Sequence, residues 1–418
     1  MPKTLAEWLT QLEQRHPRLI DLGLERIGVV AKRLNVTTFN CPVITVAGTN
    51  GKGSTVALLE QIYLSAGYRV GSYTSPHLLR FNERIRLNGE EVSDVALCAA
   101  FSQVEVARQD IALSYFEFTT LAALWLFQQA NLEVIILEIG LGGRLDAVNI
   151  VEPTLSVITS ISIDHTDWLG RDRNSIGREK AGIFRSHKPV VCGDADPPPT
   201  MTACAQQLAA PFYQIKRDFH YQAQTGSWSW QGLAHCYACL PIPAIQLSNA
   251  ATALMAVEIL QSSLLVKQSA IITGLERVKL LGRLQIMYQP RLLVLDVSHN
   301  PGATQLLADY LQQRPIQGRT LAVIGMLADK EIADSLRPLV PLIHDWYVGS
   351  LTVARGAGSE LILEKLQALN VAQCYNFAAV ETAYQQALAA SSPTDRIVIF
   401  GSFHTVAAVS ALLNRKSI

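Results

Sequence analysis

The chain has 418 residues, and at about 150 residues per domain that length predicts two or three domains. Lys and Arg together number 35, as do Asp and Glu, so the formal net charge is zero. That balance gives no support to a nucleic-acid or membrane-surface role, because both need an excess of positive charge. A hydrophobic fraction of 49% with 17% charged residues is typical of a globular protein with ample core material.

The beginning of the chain, residues 1–17, has the pattern of a polar amphipathic helix. It lacks a basic region followed by an apolar core, so no signal peptide is predicted. No apolar run in the sequence approaches the ~18 residues of a membrane span. The cysteines number seven and are scattered, which does not suggest a disulfide framework. We therefore expect a reduced, cytoplasmic setting.

Short β-branched runs then alternate with amphipathic segments of helical length. The predicted strands are 43–46, 68–73, 134–139, 155–159 and 189–192, with predicted helices at 54–66, 95–108 and 118–130. This alternation favours a mostly parallel sheet flanked by helices. The pattern changes after the prolines at 197–199, where 213–222 and 227–230 predict short antiparallel strands of a smaller sheet extension.

A second alternation follows a predicted helix at 248–261. Its predicted strands are 292–297, 321–324, 345–348 and 396–400. We therefore predict two α/β domains with a boundary near 287–291. Residues 1–286 would form a P-loop ATPase domain with a mostly parallel sheet and the smaller extension, and residues 287–418 a Rossmann-like α/β domain.

The strongest chemical signal is the segment VAGTNGKGST at 46–55. An apolar strand leads into glycines, which let backbone N–H groups close on phosphate oxygens, and Lys52 adds a point charge at the start of a helix. Gly53 separates Lys52 from the hydroxyl residues, so the loop is a variant of the common P-loop spacing. A Gly-rich turn with an incidental lysine is the alternative. The order strand, loop and helix favours nucleotide binding.

Two further strand ends carry candidate metal ligands. Glu138 closes a buried strand at the edge where α/β sheets bind ligands, and a carboxylate there suits Mg²⁺. The alternative is an acid paired with a nearby cation for structural reasons. His165 follows the next strand in a loop that also contains Asp164 and Asp167, so metal binding by His165 is favoured over a packing role.

Taken together, several segments resemble the folylpolyglutamate synthase family, within the wider group of Mur-type amide ligases. The matching segments are GTNGKGST at 48–55, TSPHL at 74–78, LEIGLGGRLDAVNI at 137–150, DHTDWLG at 164–170, GREKAGIF at 177–184, SNAATAL at 248–254, GRLQ at 282–285, DVSHNP at 296–301 and GSFHTV at 401–406. The resemblance implies ATP-dependent ligation of L-glutamate to dihydropteroate, and to the γ-carboxylate of reduced folates, through an acyl phosphate.

The resemblance also implies roles for individual residues. The implied ATP-binding residues are Gly48, Thr49, Asn50, Gly51, Lys52, Gly53, Ser54, Thr55, Asn249, Arg283, Asp296 and His299. The implied metal ligands are Ser75, Glu138 and His165. The implied catalytic residues are Lys52, His165, Lys180 and Arg283. Contacts to the folate are implied for Leu24, Arg26, Phe81 and Phe116, and contacts to glutamate for Ser402 and His404.

The resemblance alone changes the interpretation of Lys180. By itself it reads as a solvated helix lysine, whereas the family implies that CO₂ converts its amine into a carbamate, N6-carboxylysine. The implied cofactor is Mg²⁺, with one or two ions for which Mn²⁺ can substitute, together with a monovalent cation, and ATP is a substrate. The expected partners are ATP, L-glutamate, dihydropteroate and reduced folates. We expect a monomer, without a nucleic-acid or membrane partner.

Other readings stay open at this point. An enzyme that only extends existing folates would share every motif above. A P-loop phosphotransferase would leave the segment at 296–301 unexplained, and a nucleotide-driven switch would hydrolyse ATP without responding to pterins or glutamate. A muramyl-peptide ligase is similar in mechanism, but TSPHL and DHTDWLG match the folate branch better. His235, Cys236 and Cys239 look like half a zinc knuckle, and no second half follows in the sequence.

Overall fold

The structure is a computed structural model that describes residues 3–15, 21–288 and 291–415. The chain forms two compact units. The first contains the chain up to Ile161 and Asp167–Lys279, and the second contains Ser162–Thr166 and the chain from Leu280 onward. The outer parts of the helix predicted at 1–17, and residues 289–290 of the predicted boundary, lie outside the described residues. The functional division into residues 1–286 and 287–418 stays a prediction.

The main sheet of the first unit is mostly parallel, as predicted. Its strands are β1 (Val43–Ala47), β2 (Val70–Tyr73), β3 (Ile85–Leu87), β4 (Glu90–Glu91), β5 (Val134–Glu138), β6 (Leu155–Ile158), β7 (Val190–Cys192) and β8 (Phe212–Gln214). Their order is β4-β3-β2-β5-β1-β6-β7-β8, and only the pairs β2–β3 and β3–β4 are antiparallel. Since β5, β1 and β6 are parallel neighbours, their carboxyl ends meet at one edge of the sheet.

Helices cover both faces of this sheet. Up to residue 279 they are α1 (Leu5–Arg15), α2 (Glu25–Leu34), α3 (Lys52–Ser65), α4 (Asp94–Arg108), α5 (Tyr115–Gln129), α6 (Thr166–Leu169), α7 (Arg173–Ala181), α8 (Pro199–Gln207), α9 (Leu247–Ile259) and α10 (Gln268–Arg277), with 3₁₀ turns at Phe81–Arg84 and Ala147–Ile150. β1 shows the two layers clearly. Val43 and Ala47 pack into the core with α1, α2, α4 and α5, while Ile44 and Val46 pack into the core with α3, α9 and α10.

A smaller antiparallel sheet forms the predicted extension, with different bounds. Its strands are β9 (His220–Gln224), β10 (Ser227–Gln231) and β11 (Cys236–Leu240). Trp228 and Trp230 are fully buried, and the Trp230 indole N–H donates to the carbonyl of Ala251 on α9 at 3.1 Å. The single strand predicted at 213–222 is in fact two strands. Asp218 accepts a hydrogen bond from the Gln214 N–H at 2.7 Å and so closes a turn, which leaves β8 in the main sheet, parallel to β7.

The second unit has its own α/β sheet, as predicted. Its strands are β12 (Gln285–Met287), β13 (Leu292–Leu295), β14 (Thr320–Ile324), β15 (Asp345–Gly349), β16 (Cys374–Phe377) and β17 (Arg396–Phe400). The order is β12-β13-β17-β14-β15-β16, and only the pair β12–β13 is antiparallel. The helices are α11 (Pro301–Gln312), α12 (Ile332–Leu336), α13 (Ser359–Ala368), α14 (Val380–Ala390) and α15 (Phe403–Arg415), with a 3₁₀ turn at Val340–Leu342.

The central strands of the first unit read as continuous apolar runs because both of their faces are buried. Ile136 of β5 is fully buried, so replacing Ile136 with valine should lower the free energy of unfolding by about 1 kcal/mol through the lost methylene and the small cavity. Ile242 is half exposed in the same unit and provides the matched control. Urea unfolding followed by circular dichroism should show a lower midpoint for I136V and an unchanged one for I242V. Equal midpoints would contradict the burial of β5.

Within the described residues, no helix is both long enough and apolar enough to cross a membrane. All seven cysteines are free thiols. Cys236 and Cys239 are exposed on β11, and the described residues contain no group of three or more His, Cys, Asp or Glu side chains placed to hold a metal ion.

Candidate active site

The phosphate loop lies between β1 and α3, as the sequence predicted. Gly48 has φ +146° and Gly51 has φ +87°, conformations that residues with a side chain rarely adopt. A Cβ at position 48 would lie 1.9 Å from the Thr159 hydroxyl, and a Cβ at position 51 would lie 2.3 Å from Oδ1 of Asn249. Both glycines are therefore required by the close approach of neighbouring residues. Asn249, an implied ATP contact on α9, lies directly against the loop.

The residues after β6 hold the phosphate loop in place. The Thr49 N–H donates to the Ser160 carbonyl at 2.7 Å. The hydroxyls of Thr159 and Ser160 donate to the Asn50 carbonyl at 2.6 and 3.1 Å. The loop backbone is thus fixed from the neighbouring strand, which is consistent with a preformed phosphate cradle. Sequence reasoning did not assign a role to Thr159 or Ser160.

Lys52 and Lys180 converge on the same loop carbonyl. Nζ of Lys52 donates to the carbonyls of Gly48 and Thr49 at 3.1 and 3.2 Å, and Nζ of Lys180 donates to the Gly48 carbonyl at 2.9 Å. Lys180 is only 4% exposed, so its reading from the sequence alone as a solvated lysine is wrong. Ile176 and Gly177 stand four and three residues before it and are also buried, which puts Lys180 on the inner face of α7.

The remaining phosphate-loop residues form the first turn of α3. Gly53 and Ser54 follow Lys52 there, and Ser54 is buried. Thr55 is fully buried, and its hydroxyl donates to the Gly51 carbonyl at 3.0 Å. The N–H groups at this helix start face the loop, so the helix end contributes positive potential where a phosphate would lie.

Glu138 and Ser75 provide oxygen ligands of the kind that Mg²⁺ prefers. Glu138 ends β5, is 5% exposed, and accepts a hydrogen bond from the Ser75 N–H at 3.3 Å. Mg²⁺ is commonly bound by one or two carboxylates, with phosphate oxygens and water completing its shell, so this pair suits an ion that arrives with ATP. The third implied ligand, His165, belongs to the second unit.

The loop after β5 is organised by Asp146, a residue to which sequence reasoning gave no separate role. Its carboxylate accepts from the N–H groups of Leu141 and Val148 at 2.8 and 2.9 Å. Burial raises the pKa of Asp146 to about 6, although hydrogen bonds from Leu141 and Val148 lower it. In the sequence, the signal that could have identified Asp146 is an acid three residues after the pair Gly142-Gly143.

In the second unit, both carboxylate oxygens of Asp296 accept hydrogen bonds from adjacent residues. Oδ2 accepts from the Leu284 N–H at 2.8 Å, and Oδ1 accepts from the N–H of Ser298 at 2.9 Å and from its hydroxyl. Nδ1 of His299 lies 2.8 Å from the Val297 carbonyl and must donate to it. Burial, with a further contribution from Lys330, lowers the pKa of His299 to about 4, so its ring is neutral at pH 7.

Asp164 lies at the centre of a buried polar cluster within the second unit. Lys330 Nζ is 2.7 Å from its Oδ1, Asn300 Nδ2 donates to Oδ2 at 2.9 Å, and His299 Nε2 is 3.8 Å from Oδ2. Lys330 also approaches Nε2 of His165 at 3.5 Å. Sequence reasoning missed Lys330 because it follows β14 in an unremarkable polar turn, 166 residues after its partner.

Comparisons with known proteins find two Mur ligase domains and close relatives. Residues 46–216 match the Mur ligase middle domain, and residues 282–403 match the glutamate ligase domain of Mur ligases. Dihydrofolate synthase/folylpolyglutamate synthase of Escherichia coli is 46% identical over 99% of this chain and 96% of its own. The enzyme of the same name from Haemophilus influenzae is 42% identical over 96% of each chain.

The chain belongs to the dihydrofolate synthase/folylpolyglutamate synthase family of Mur ligases.

Solved structures of this family show the same fold. E. coli FolC in complex with DHPP and ADP has a TM-score of 0.96 at 46% identity, covering 100% of this chain and 99% of that one. A bifunctional folylpolyglutamate synthase/dihydrofolate synthase with Mn, AMPPNP and L-glutamate bound has a TM-score of 0.91 at 46% identity, covering 99% and 98%. The resemblance to this ligase family and the predicted fold class are therefore confirmed.

The implied folate residues lie in different environments. Arg26 forms ion pairs with Asp21 at 2.7 Å and Glu117 at 2.9 Å. Phe81 is buried and packs edge-to-face on Phe101 with ring centroids 5.7 Å apart, so it belongs to the core as much as to any ligand site. Phe116 is half buried. Leu24 immediately precedes α2 and is half buried as well. Their contacts to a folate stay a prediction.

The implied residues near the end of the chain surround the start of α15. Ser402 is buried, and its hydroxyl accepts a hydrogen bond from the Thr405 N–H at 3.0 Å. His404 is exposed on the first turn. The Arg283 guanidinium lies 5.2 Å from the ring centre of Phe403, a cation–π contact that holds its plane. The contacts of Ser402 and His404 to glutamate, and of Arg283 to ATP, also stay predictions.

Proposed function

We propose that this chain ligates L-glutamate to dihydropteroate, forming dihydrofolate, and to the γ-carboxylate of reduced folates, forming folylpolyglutamates. ATP drives both reactions and leaves as ADP and phosphate. Membership of the family and its relatives with ADP, AMPPNP, Mn, L-glutamate or DHPP bound support the proposal. The observation that carries it is the phosphate loop after β1, whose Gly48 carbonyl accepts hydrogen bonds from Lys52 and from the buried Lys180.

The chemistry requires activation of a carboxylate, which is a poor electrophile. An oxygen of the pteroate or folate carboxylate attacks the γ-phosphorus of ATP, and ADP leaves. The amine of glutamate, once deprotonated, then attacks the carbonyl carbon of the acyl phosphate, and phosphate leaves. The N–H groups of residues 48–51 and the ammonium of Lys52 stabilise negative charge on the phosphates, and Arg283 does so at the γ-phosphoryl group. Ser75, Glu138 and His165 are the residues that would hold Mg²⁺, which would supply further charge neutralisation.

We assign a carbamate to Lys180 as part of the same proposal. Its ammonium first loses a proton, and the neutral amine then adds to CO₂ with loss of a second proton, so that a carboxylate replaces the positive charge. The position of Lys180 supports this, because its nitrogen is buried beside the phosphate loop, where a carboxylate can bind a metal ion or an arginine. The backbone around Lys180 is tightly packed. A Cβ added at Gly143 would lie 3.1 Å from the Lys180 Cα, which shows that the loop after β5 packs on this turn of α7.

The two predicted domains divide the work in this proposal. Residues 1–286 form the phosphate loop for ATP and bind the folate through Leu24, Arg26, Phe81 and Phe116. Residues 287–418 contain most of the segment that matches the glutamate ligase domain, with Asp296 and His299 as ATP contacts and Ser402 and His404 as glutamate contacts. Free cysteines throughout the chain support assignment to the reducing cytoplasm.

The decisive measurement is phosphate release from MgATP with L-glutamate and either 7,8-dihydropteroate or tetrahydrofolate, with products identified by mass. We expect a glutamylated product from both acids. Product from tetrahydrofolate alone would restrict the enzyme to extension of existing folates. Phosphate release without a glutamylated product from either acid would contradict the ligase and favour a phosphotransferase or a switch.

A further inference from the structure

The segment between β6 and α7, residues 159–172, is here called the connector. Its first residues, Thr159 and Ser160, hold the phosphate loop in the first unit. Only Ile161 then separates them from Ser162–Thr166, which belong to the second unit. The connector is therefore hydrogen-bonded to the phosphate loop at its start, and one residue later it continues into residues that belong to the second unit.

Asp164 is the anchor of the connector in the second unit. The side chains of Asp164 and Lys330 are 8% and 6% exposed, and their 2.7 Å ion pair is accordingly shielded from water. Asn300 strengthens the anchor because its amide is fixed at both ends. Its Nδ2 donates to Asp164, and its Oδ1 accepts from the Ala303 N–H at 2.9 Å, capping α11. A buried ion pair with this additional hydrogen bond has one preferred geometry.

The same carboxylate fixes the backbone at His165. Asp164 Oδ1 accepts from the His165 N–H at 2.8 Å, and His165 has φ +53°, a left-handed conformation that is uncommon for a residue with a side chain. The Asp164 carboxylate thus accepts hydrogen bonds from the His165 N–H and the Asn300 amide, and Lys330 is its ion-pair partner.

The start of the connector is held separately, by contacts within the first unit. Arg173 Nε donates to the Ile161 carbonyl at 3.1 Å, and its guanidinium contacts Asp194 at 3.2 Å. Asp194 in turn accepts from the Ile161 N–H at 2.7 Å. These contacts hold the connector at Ile161. The orientation of the following residues, 162–166, is then set by the Asp164 anchor.

We propose that Lys330 is a positioning residue of the ligase reaction, which holds Asp164 and thereby sets the orientation of the His165 imidazole toward a bound metal ion. This rests on the proposed function, in which His165 is a metal ligand. Residues that orient a metal ligand without touching the metal typically change metal affinity by about 10- to 100-fold when they are replaced. If the role of Lys330 were purely structural, Lys330 would only have to neutralise the charge of Asp164.

Three variants and one control separate these two roles. Lys330→Met removes the ammonium but leaves a buried charge on Asp164, so it can impair folding. The double variant D164N/K330M removes both charges and keeps the core neutral. Arg319→Met is the matched control, because Arg319 lies just before β14, at the opposite end from Lys330, and pairs with Asp345 and the buried Asp395 at 2.8 and 3.1 Å. Lys330→Arg retains the charge and should recover part of the lost affinity.

The readouts are Mn²⁺ affinity in the presence of AMPPNP, measured by electron paramagnetic resonance, and kcat and KM for glutamylation. We expect D164N/K330M to bind Mn²⁺ about tenfold more weakly, with a lower kcat, while R319M stays within about twofold of the unmodified enzyme. Unchanged Mn²⁺ affinity in the double variant would overturn the proposal, because charge neutralisation would then suffice. If the unmodified enzyme forms no glutamylated product, the proposed function fails, while the Mn²⁺ comparison still tests Lys330.

Discussion

Replacing Lys180 with alanine is expected to lower kcat for glutamylation by about a thousandfold, or ~4 kcal/mol of transition-state stabilisation. The residue is buried beside the phosphate loop, with its nitrogen 2.9 Å from the Gly48 carbonyl, so its loss removes a group next to the proposed phosphate site. The measurement is steady-state glutamylation at saturating ATP and glutamate. Lys188→Ala, an exposed lysine in the same unit, is the matched control and should retain full activity.

Chemical rescue of Lys180→Ala distinguishes a carbamate from an ammonium. The truncated side chain leaves space beside the loop, which a small molecule can fill. Acetate should restore part of the activity if a carboxylate is the active group, and methylamine should not. Recovery with methylamine alone would contradict carbamylation and leave Lys180 as a phosphate-binding cation. An undiminished kcat in Lys180→Ala would remove the residue from the active site altogether.

Replacing Gly51 with alanine is expected to lower kcat/KM for ATP by about a hundredfold, or ~2.7 kcal/mol. The backbone at Gly51 has φ +87°, and the added methyl group would lie 2.3 Å from Oδ1 of Asn249. Either the loop or the Asn249 side chain must move, and both belong to the proposed ATP site. Isothermal titration with AMPPNP and Mg²⁺ measures the loss of binding directly.

Gly67 provides the control for backbone strain, since it follows the other end of α3. It has φ +91°, and a Cβ there would meet nothing within 4 Å. Gly67→Ala should therefore share the strain of a left-handed alanine, about 1–2 kcal/mol in the free energy of unfolding, and bind AMPPNP normally. Equal AMPPNP affinity in G51A and G67A would show that the close approach to Asn249 does not matter.

The sequence by itself determined the parts of this protein that depend on neighbouring residues. The order strand, glycine loop, lysine and helix at 46–55 is local, and the structure has β1, the phosphate loop and α3 there. The alternation of apolar runs with amphipathic segments predicted both α/β sheets, because a parallel strand buried on both faces must be continuously apolar. The motifs at 137–150 and 164–170 likewise identified the family without reference to any contact between distant residues.

The tertiary structure alone decided which side chains are buried and which distant residues meet. Lys180 reads as a solvated lysine until α7 packs against the loop after β5. Asp164 can pair with Lys330 because residues 162–166 belong to the second unit, and no local sequence pattern indicates that these residues do so. Burial and long-range pairing come from the packing of whole elements, whereas propensity and periodicity act over a few residues, so the sequence predicts the strands and the loop but not their partners.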